Sequence, residues 1–168
     1  PATLFRRAFT LQTAPQTARL YLTCLGVYRL TVNGQRPDDR EFAPEHTSYR
    51  KTLCYQTYDV TDMLRAGENR LDAWLGNGWY KGRFGFEVGD GWYCCPQTQP
   101  PIDGLQPDHT VLFQLEVTGA DGRRVIVSDG ALHCREGEVR ASDLFDGESQ
   151  DLRLATPGWD APGFDAGA

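Results

Sequence analysis

Several features that would settle a function outright are missing from this sequence. No apolar run approaches the roughly 20 residues a membrane-spanning helix needs. No Gly-x-Ser-x-Gly turn is present to raise a nucleophilic serine. Gly76-Asn77-Gly78 follows a strand-like run, but the pattern behind it predicts no helix to complete a phosphate cradle. Five cysteines (Cys24, Cys54, Cys94, Cys95 and Cys134) are an odd number without a Cys-x-x-Cys spacing, which argues against structural zinc and against a disulfide framework. They read as buried or partly buried thiols of a reducing, cytoplasmic setting, with a secreted or periplasmic one as the alternative. His46, His109 and His133 show no metal-ligand spacing. An excess of positive charge is also missing. The net charge is −6 with a pI near 5.0, and Arg6-Arg7, Arg50-Lys51 and Arg123-Arg124 are only pairs. That excludes nucleic acid as the expected partner. There is no internal repeat and no leader-like opening, and the abrupt start at Pro1 reads as that of an excised piece.

What is present suits one globular domain spanning residues 1–168. Hydrophobic residues are 40% and charged residues 24% of the chain, enough for a packed core. Period-two alternation predicts strands over 4–11, 18–24, 27–32, 70–75, 111–118 and 125–128. Leu53, Tyr55 and Thr57, with Val60 as a further candidate, suggest the alternation of a half-buried strand. Asn33-Gly34 and Asp121-Gly122 supply tight turns. Thr61 is placed to cap a short helical turn, with Gly67 ending it. Residues 87–108 read as a long loop insertion. Short strands, frequent turns and little helix indicate an all-β, galactose-binding-domain-like jelly-roll β-sandwich.

One ordered series of motifs goes further. Tyr49-Arg50-Lys51 precedes Tyr58-Asp59-Val60-Thr61-Asp62. Gly67-Glu68-Asn69, Gly76-Asn77-Gly78-Trp79-Tyr80 and Gly82-Arg83 follow. Upstream lie Arg19-Leu20-Tyr21-Leu22, Leu25-Gly26-Val27-Tyr28 and Val32-Asn33-Gly34. Downstream lie Asp146-Gly147-Glu148 with Asp151 and Arg153. The series resembles the N-terminal β-sandwich domain of bacterial α-L-rhamnosidases, where the 87–108 region is usually shorter. The resemblance implies an accessory domain. The family's acid and base, working by an inverting route on terminal α-L-rhamnosides, belong to a separate α-helical barrel of the same polypeptide.

The residues themselves leave alternatives open. Asn77, Trp79, Tyr80 and Arg83 combine aromatic rings with polar groups, the pairing that binds sugars such as L-rhamnose, or they serve packing. Asp146, Glu148 and Asp151 are close enough in sequence to suit a domain interface, a hard cation such as calcium, or a polar loop paired with Arg153 or Arg140. The expectation is no catalytic residue, no metal and no cofactor in this chain. A free-standing lectin-like carbohydrate-binding module is the alternative, and a small hydrolase using Asp146 and Glu148 ranks third.

Overall fold

Strand alternation closes two antiparallel four-stranded sheets around one core in the computed structural model, which describes residues 1–49, 51–88, 91–94 and 109–159; for 83–88 and 91–94 it describes the backbone alone. The elements in order are β1 (Thr3–Leu11), β2 (Pro15–Leu25), β3 (Val27–Val32), β4 (Gln56–Asp59), β5 (Gly67–Gly76), the short helix α1 (Gly78–Lys81), β6 (Arg83–Val88), β7 (Gly91–Cys94), β8 (Thr110–Gly119), β9 (Gly122–Val127), β10 (His133–Glu136), β11 (Val139–Asp143) and β12 (Gly147–Gln150). One sheet has the order β10-β1-β5-β3, the other β4-β2-β8-β9. β6–β7 and β11–β12 are separate hairpins.

The inner faces follow the expected phases. Phe5 and Phe9 of β1, Leu30 and Val32 of β3, and Leu71, Ala73 and Leu75 of β5 meet Leu20 and Leu22 of β2 and Phe113, Leu115 and Val117 of β8. Fully burying one such side chain stabilises by about 1.5–3 kcal/mol. The Tyr28 and Tyr58 hydroxyls bond each other at 2.8 Å inside this core, joining β3 to β4. Burial pushes both phenols above their ordinary range.

Five expectations need correction. Of the residues expected on the buried side of the β4 segment, Val60 is buried, but its companion there is Tyr58, while Leu53, Tyr55 and Thr57 face solvent. β-branched and aromatic residues occur on both faces there, so the pattern did not fix the phase. Thr61 does not cap the 3₁₀ turn Thr61–Met63: the Asp59 carboxylate accepts the Thr61 N–H and O–H, and the Thr61 oxygen accepts the Ala18 N–H. Gly67 opens β5 at φ +89° and does not end the turn. A four-residue helix, α1, does follow Gly76-Asn77-Gly78. Cys134 is exposed, whereas Cys24 is buried and its thiol is pushed up by that burial.

Asn33 (φ +51°) and Gly34 (φ +80°) do form the left-handed turn. The strand after it is the single bridge Val32↔Gln35, and the same open edge of β3 carries one further bridge, Tyr28↔Ala43. Of the 87–108 stretch, residues 87–88 and 91–94 are strand, and the rest lies outside the described residues, as do the Cys95 thiol and the tail from residue 160.

Candidate functional site

α1 is where the sequence motifs converge. Its entry depends on close backbone approach. A Cβ on Gly78, which holds φ +50°, would sit 2.6 Å from a Val27 methyl, and one on Gly76 would sit 2.8 Å from Ser142 Oγ. Glycine therefore lets α1 lie against the start of β3, and lets the β11–β12 hairpin lie against the end of β5. Both main motifs, one around Trp79 and one around Asp146-Gly147-Glu148, are brought to the same region by these contacts.

Each candidate takes a distinct place there. Tyr80 is 2% exposed and meets Tyr49 edge-on at 5.1 Å, so it is a packing residue. Trp79 is half-buried, with Phe42 and His46 each 5.9 Å away, edge to ring. Phe42 and Glu45 both hold positive φ, +57° and +83°, on the loop that delivers Phe42 and His46. Non-glycine residues in this region cost of order 1 kcal/mol each and persist where the surroundings fix them. The Asn77 carbonyl oxygen accepts from His109 Nε2 at 3.2 Å, and His109 Nδ1 lies 3.0 Å from the Thr3 hydroxyl. With Nε2 donating, Nδ1 is left to accept from Thr3, which joins the start of β1 to α1 through one imidazole. The Arg83 side chain lies outside the described residues.

The acids do not form a reacting pair. Asp146 sits in the β11–β12 turn, where its backbone N–H donates to Asp143 Oδ1 at 3.2 Å. Glu148 is exposed on β12 and accepts from the Gln150 amide. Asp151 is bound by Arg153 through Nε at 2.8 Å and a second nitrogen at 2.7 Å, and this pairing holds its carboxyl below the usual range. Among the described residues no group of three His, Cys, Asp or Glu side chains converges as a metal site. Calcium at Asp146, Glu148 and Asp151 thus has no geometric support.

Sequence reading missed a charged cluster on the other side of β5. Asp72 is 1% exposed and binds Arg6 at 2.6 Å and Arg70 at 2.5 Å. Burial pushes its carboxyl up, against the pull of the two guanidiniums. The Arg6 guanidinium also lies 5.8 Å from the Trp159 ring, which packs on Trp74 at 5.3 Å. A charge at an outward strand position normally reads as solvated. Only the cross-strand register, Arg6↔Asp72 and Ala8↔Arg70, brings these three together.

Comparison with known proteins agrees with this architecture. The α-L-rhamnosidase N-terminal domain family matches residues 13–168. An α-L-rhamnosidase of Streptomyces avermitilis is 41% identical over 149 residues, covering 88% of this chain and 13% of its own length. One from Formosa agariphila is 35% identical, covering 95% of this chain and 16% of its own. The crystal structure of the Aspergillus terreus α-L-rhamnosidase superimposes with a TM-score of 0.83 at 36% identity, over 98% of this chain and 18% of its own. A lectin of Pleurotus ostreatus, solved in complex with GalNAc, shares the fold alone, at 14% identity and a TM-score of 0.53. The chain thus spans less than a fifth of each of these three rhamnosidases. A match over residues 13–168, at up to 41% identity and on the same two-sheet frame, places the protein: it belongs to the α-L-rhamnosidase N-terminal domain family.

Proposed function

We propose that the chain is the accessory domain of an α-L-rhamnosidase that hydrolyses terminal α-L-rhamnosides. It packs against a catalytic α-helical barrel in the same polypeptide and does no chemistry itself. One observation carries this reading: the domain is matched along nearly its whole length by enzymes of which it makes up 13–18%. The acids support it. Glycoside hydrolysis needs two carboxyl groups about 5–9.5 Å apart across the scissile bond, with separated protonation states. Asp146 and Glu148 stand exposed on the β11–β12 hairpin and Asp151 is paired with Arg153, so the three do not line an enclosed cleft as an acid and base would. The test is an assay on an aryl α-L-rhamnoside, run on the 168-residue chain alone and on the chain extended by the segments its relatives carry. Turnover is expected from the extended protein alone. Robust hydrolysis by the 168 residues would overturn the reading.

A second reading, a free-standing carbohydrate-binding module, is favoured by Trp79, whose half-exposed indole lies beside His46. It expects a saturable heat on calorimetric titration with L-rhamnose, abolished by Trp79→Ala. Titration without heat leaves Trp79 a packing residue.

A further inference from the structure

Every residue of β12 (Gly147–Gln150) is exposed, and β12 pairs with β11 alone. A two-stranded hairpin is marginally stable in water unless something packs on it. The segment around β12 is unusual in a second way. Phe145 in the hairpin turn is 62% exposed, and Leu152 and Leu154 of the 3₁₀ turn behind it are 72% and 47% exposed. Leu152 is the most exposed large apolar side chain among the described residues.

Local structure does not call for these side chains. Val125 and Val127 are also exposed, but they lie in β9, where strand propensity favours valine on either face. Polar company surrounds them and Leu112, including the Arg123–Glu116 ion pair and the Gln114 amide. Turn positions ordinarily carry small or polar residues. Phe145, Leu152 and Leu154 therefore need another reason, and exposed apolar groups inside a polar rim mark protein contacts. The rim here is acidic. From Asp143 to Arg153 the chain carries four acids (Asp143, Asp146, Glu148 and Asp151) and one base, Arg153. A partner that fits is apolar at its centre and basic around it.

Position names the occupant. The described fold ends at Trp159, five residues beyond Leu154, with its ring packed on Trp74. The rhamnosidases compared above carry more than four-fifths of their length outside this domain. The family is that of an N-terminal domain, so the polypeptide that follows sets out from this side of the sandwich. Interfaces between domains of one chain bury about 600–1,500 Å² and mix apolar with polar contacts. We propose that the β11–β12 hairpin and the Leu152–Leu154 turn form the docking surface for the domain that follows in the same polypeptide. That domain seats an apolar patch on Phe145, Leu152 and Leu154 and sets lysine or arginine against the acidic rim. The assignment rests on the accessory-domain reading and names the surface it uses.

The test applies hydroxyl-radical labelling to the chain extended by the segments its relatives carry, read side chain by side chain in a mass spectrometer. Leu112, 61% exposed on the opposite sheet, is the internal standard. Docking buries Leu152 and Leu154 as in an interface core, so both should be oxidised at least about fivefold more slowly than Leu112. Phe145, corrected for the reactivity of phenylalanine, should be slowed alike. The double variant Phe145→Asp, Leu152→Asp should restore fast labelling of Leu154, whereas Leu112→Asp should not. The unmutated protein carries the decision. Leu152 and Leu154 labelled as fast as Leu112 would overturn the assignment. So would protection that grows with protein concentration, which gives the surface to a second copy. The rhamnoside assay on the same samples keeps the two failures apart. Turnover confined to the extended protein, with an unprotected hairpin, removes this surface alone; hydrolysis by the 168 residues removes the accessory-domain reading.

Discussion

On the outer face of the β10-β1-β5-β3 sheet, Asp72 is sealed between Arg6 and Arg70, and Trp159 and the β11–β12 hairpin lie over the neighbouring strands. On the outer face of the β4-β2-β8-β9 sheet, Leu112 is 61% exposed, and Val125 and Val127 also stand in solvent. Both faces grow from the same alternation, and both are turned away from the core. They differ in what lies over them. A charge can be sealed on the first face because partners of opposite sign arrive from adjacent strands and later segments of chain cover the sheet. The second face receives no covering segment among the described residues, so its apolar side chains stay wet. Hydrophobicity at a single position therefore says little here about burial. A strand's outward residues take their character from the third layer.

The contrast is sharpest under mutation. Asp72→Ala leaves two buried guanidiniums without their carboxylate and should cost about 3–5 kcal/mol, read from urea unfolding. A loss below 1 kcal/mol would mean that the first outer face is as tolerant as the second. Leu115→Ala, in the shared core, should cost about 2–5 kcal/mol and sets the scale for an inward position. Asn33→Ala removes a link between sheet and turn: Asn33 Nδ2 donates to the Met63 carbonyl at 2.8 Å and to Asn69 at 2.9 Å, while its oxygen accepts the Arg70 N–H at 2.9 Å. A loss of about 1–3 kcal/mol is expected in the same denaturation, with part recovered in Asn33→Gly, which keeps the left-handed turn. Leu112→Thr, on the open face, should move stability by no more than about 0.5 kcal/mol. A larger loss would show that something covers that face in solution.

The acid limb gives the smallest effect. Bonds from the Thr61 O–H and N–H hold the Asp59 carboxyl below its ordinary value, and the Ala131 N–H, with the Arg7 contact behind it, does the same for Asp129. A depressed carboxyl contributes stability above its unfolded-state pKa, about 3.9, and loses it as pH falls through the lower folded value. Asp59→Asn should therefore differ from the wild type at neutral pH, and the two should converge below about pH 4 in thermal melts. A gap that persists unchanged at acid pH would detach the effect from the charge.

Most of the sandwich was legible because a period of two survives in a single chain. The inner residues of β2, β3, β5 and β8 are apolar at every second position, and the motifs around Trp79 and Asp146 stood out against that background. β4 was misread in phase because its segment has aromatic side chains at both Tyr55 and Tyr58. The roles of Asn77 and Tyr80 were not legible, since one answers to His109 and Thr3 and the other to Tyr49, all far away in sequence.

The amino-acid order alone determined which residues alternate in most strands, that the chain turns left-handed at Asn33-Gly34, and that the carboxylates of the Asp146 segment sit beside arginines that can bind them. These are local matters, set by neighbours within a few residues. Tertiary structure decided that Arg6, Asp72 and Arg70 seal one another and that Phe145, Leu152 and Leu154 stay exposed on the layer over one sheet. It also decided which outer face stays open. Those outcomes depend on strand register and on the layer laid over a sheet, and both are fixed by contacts between residues dozens of positions apart.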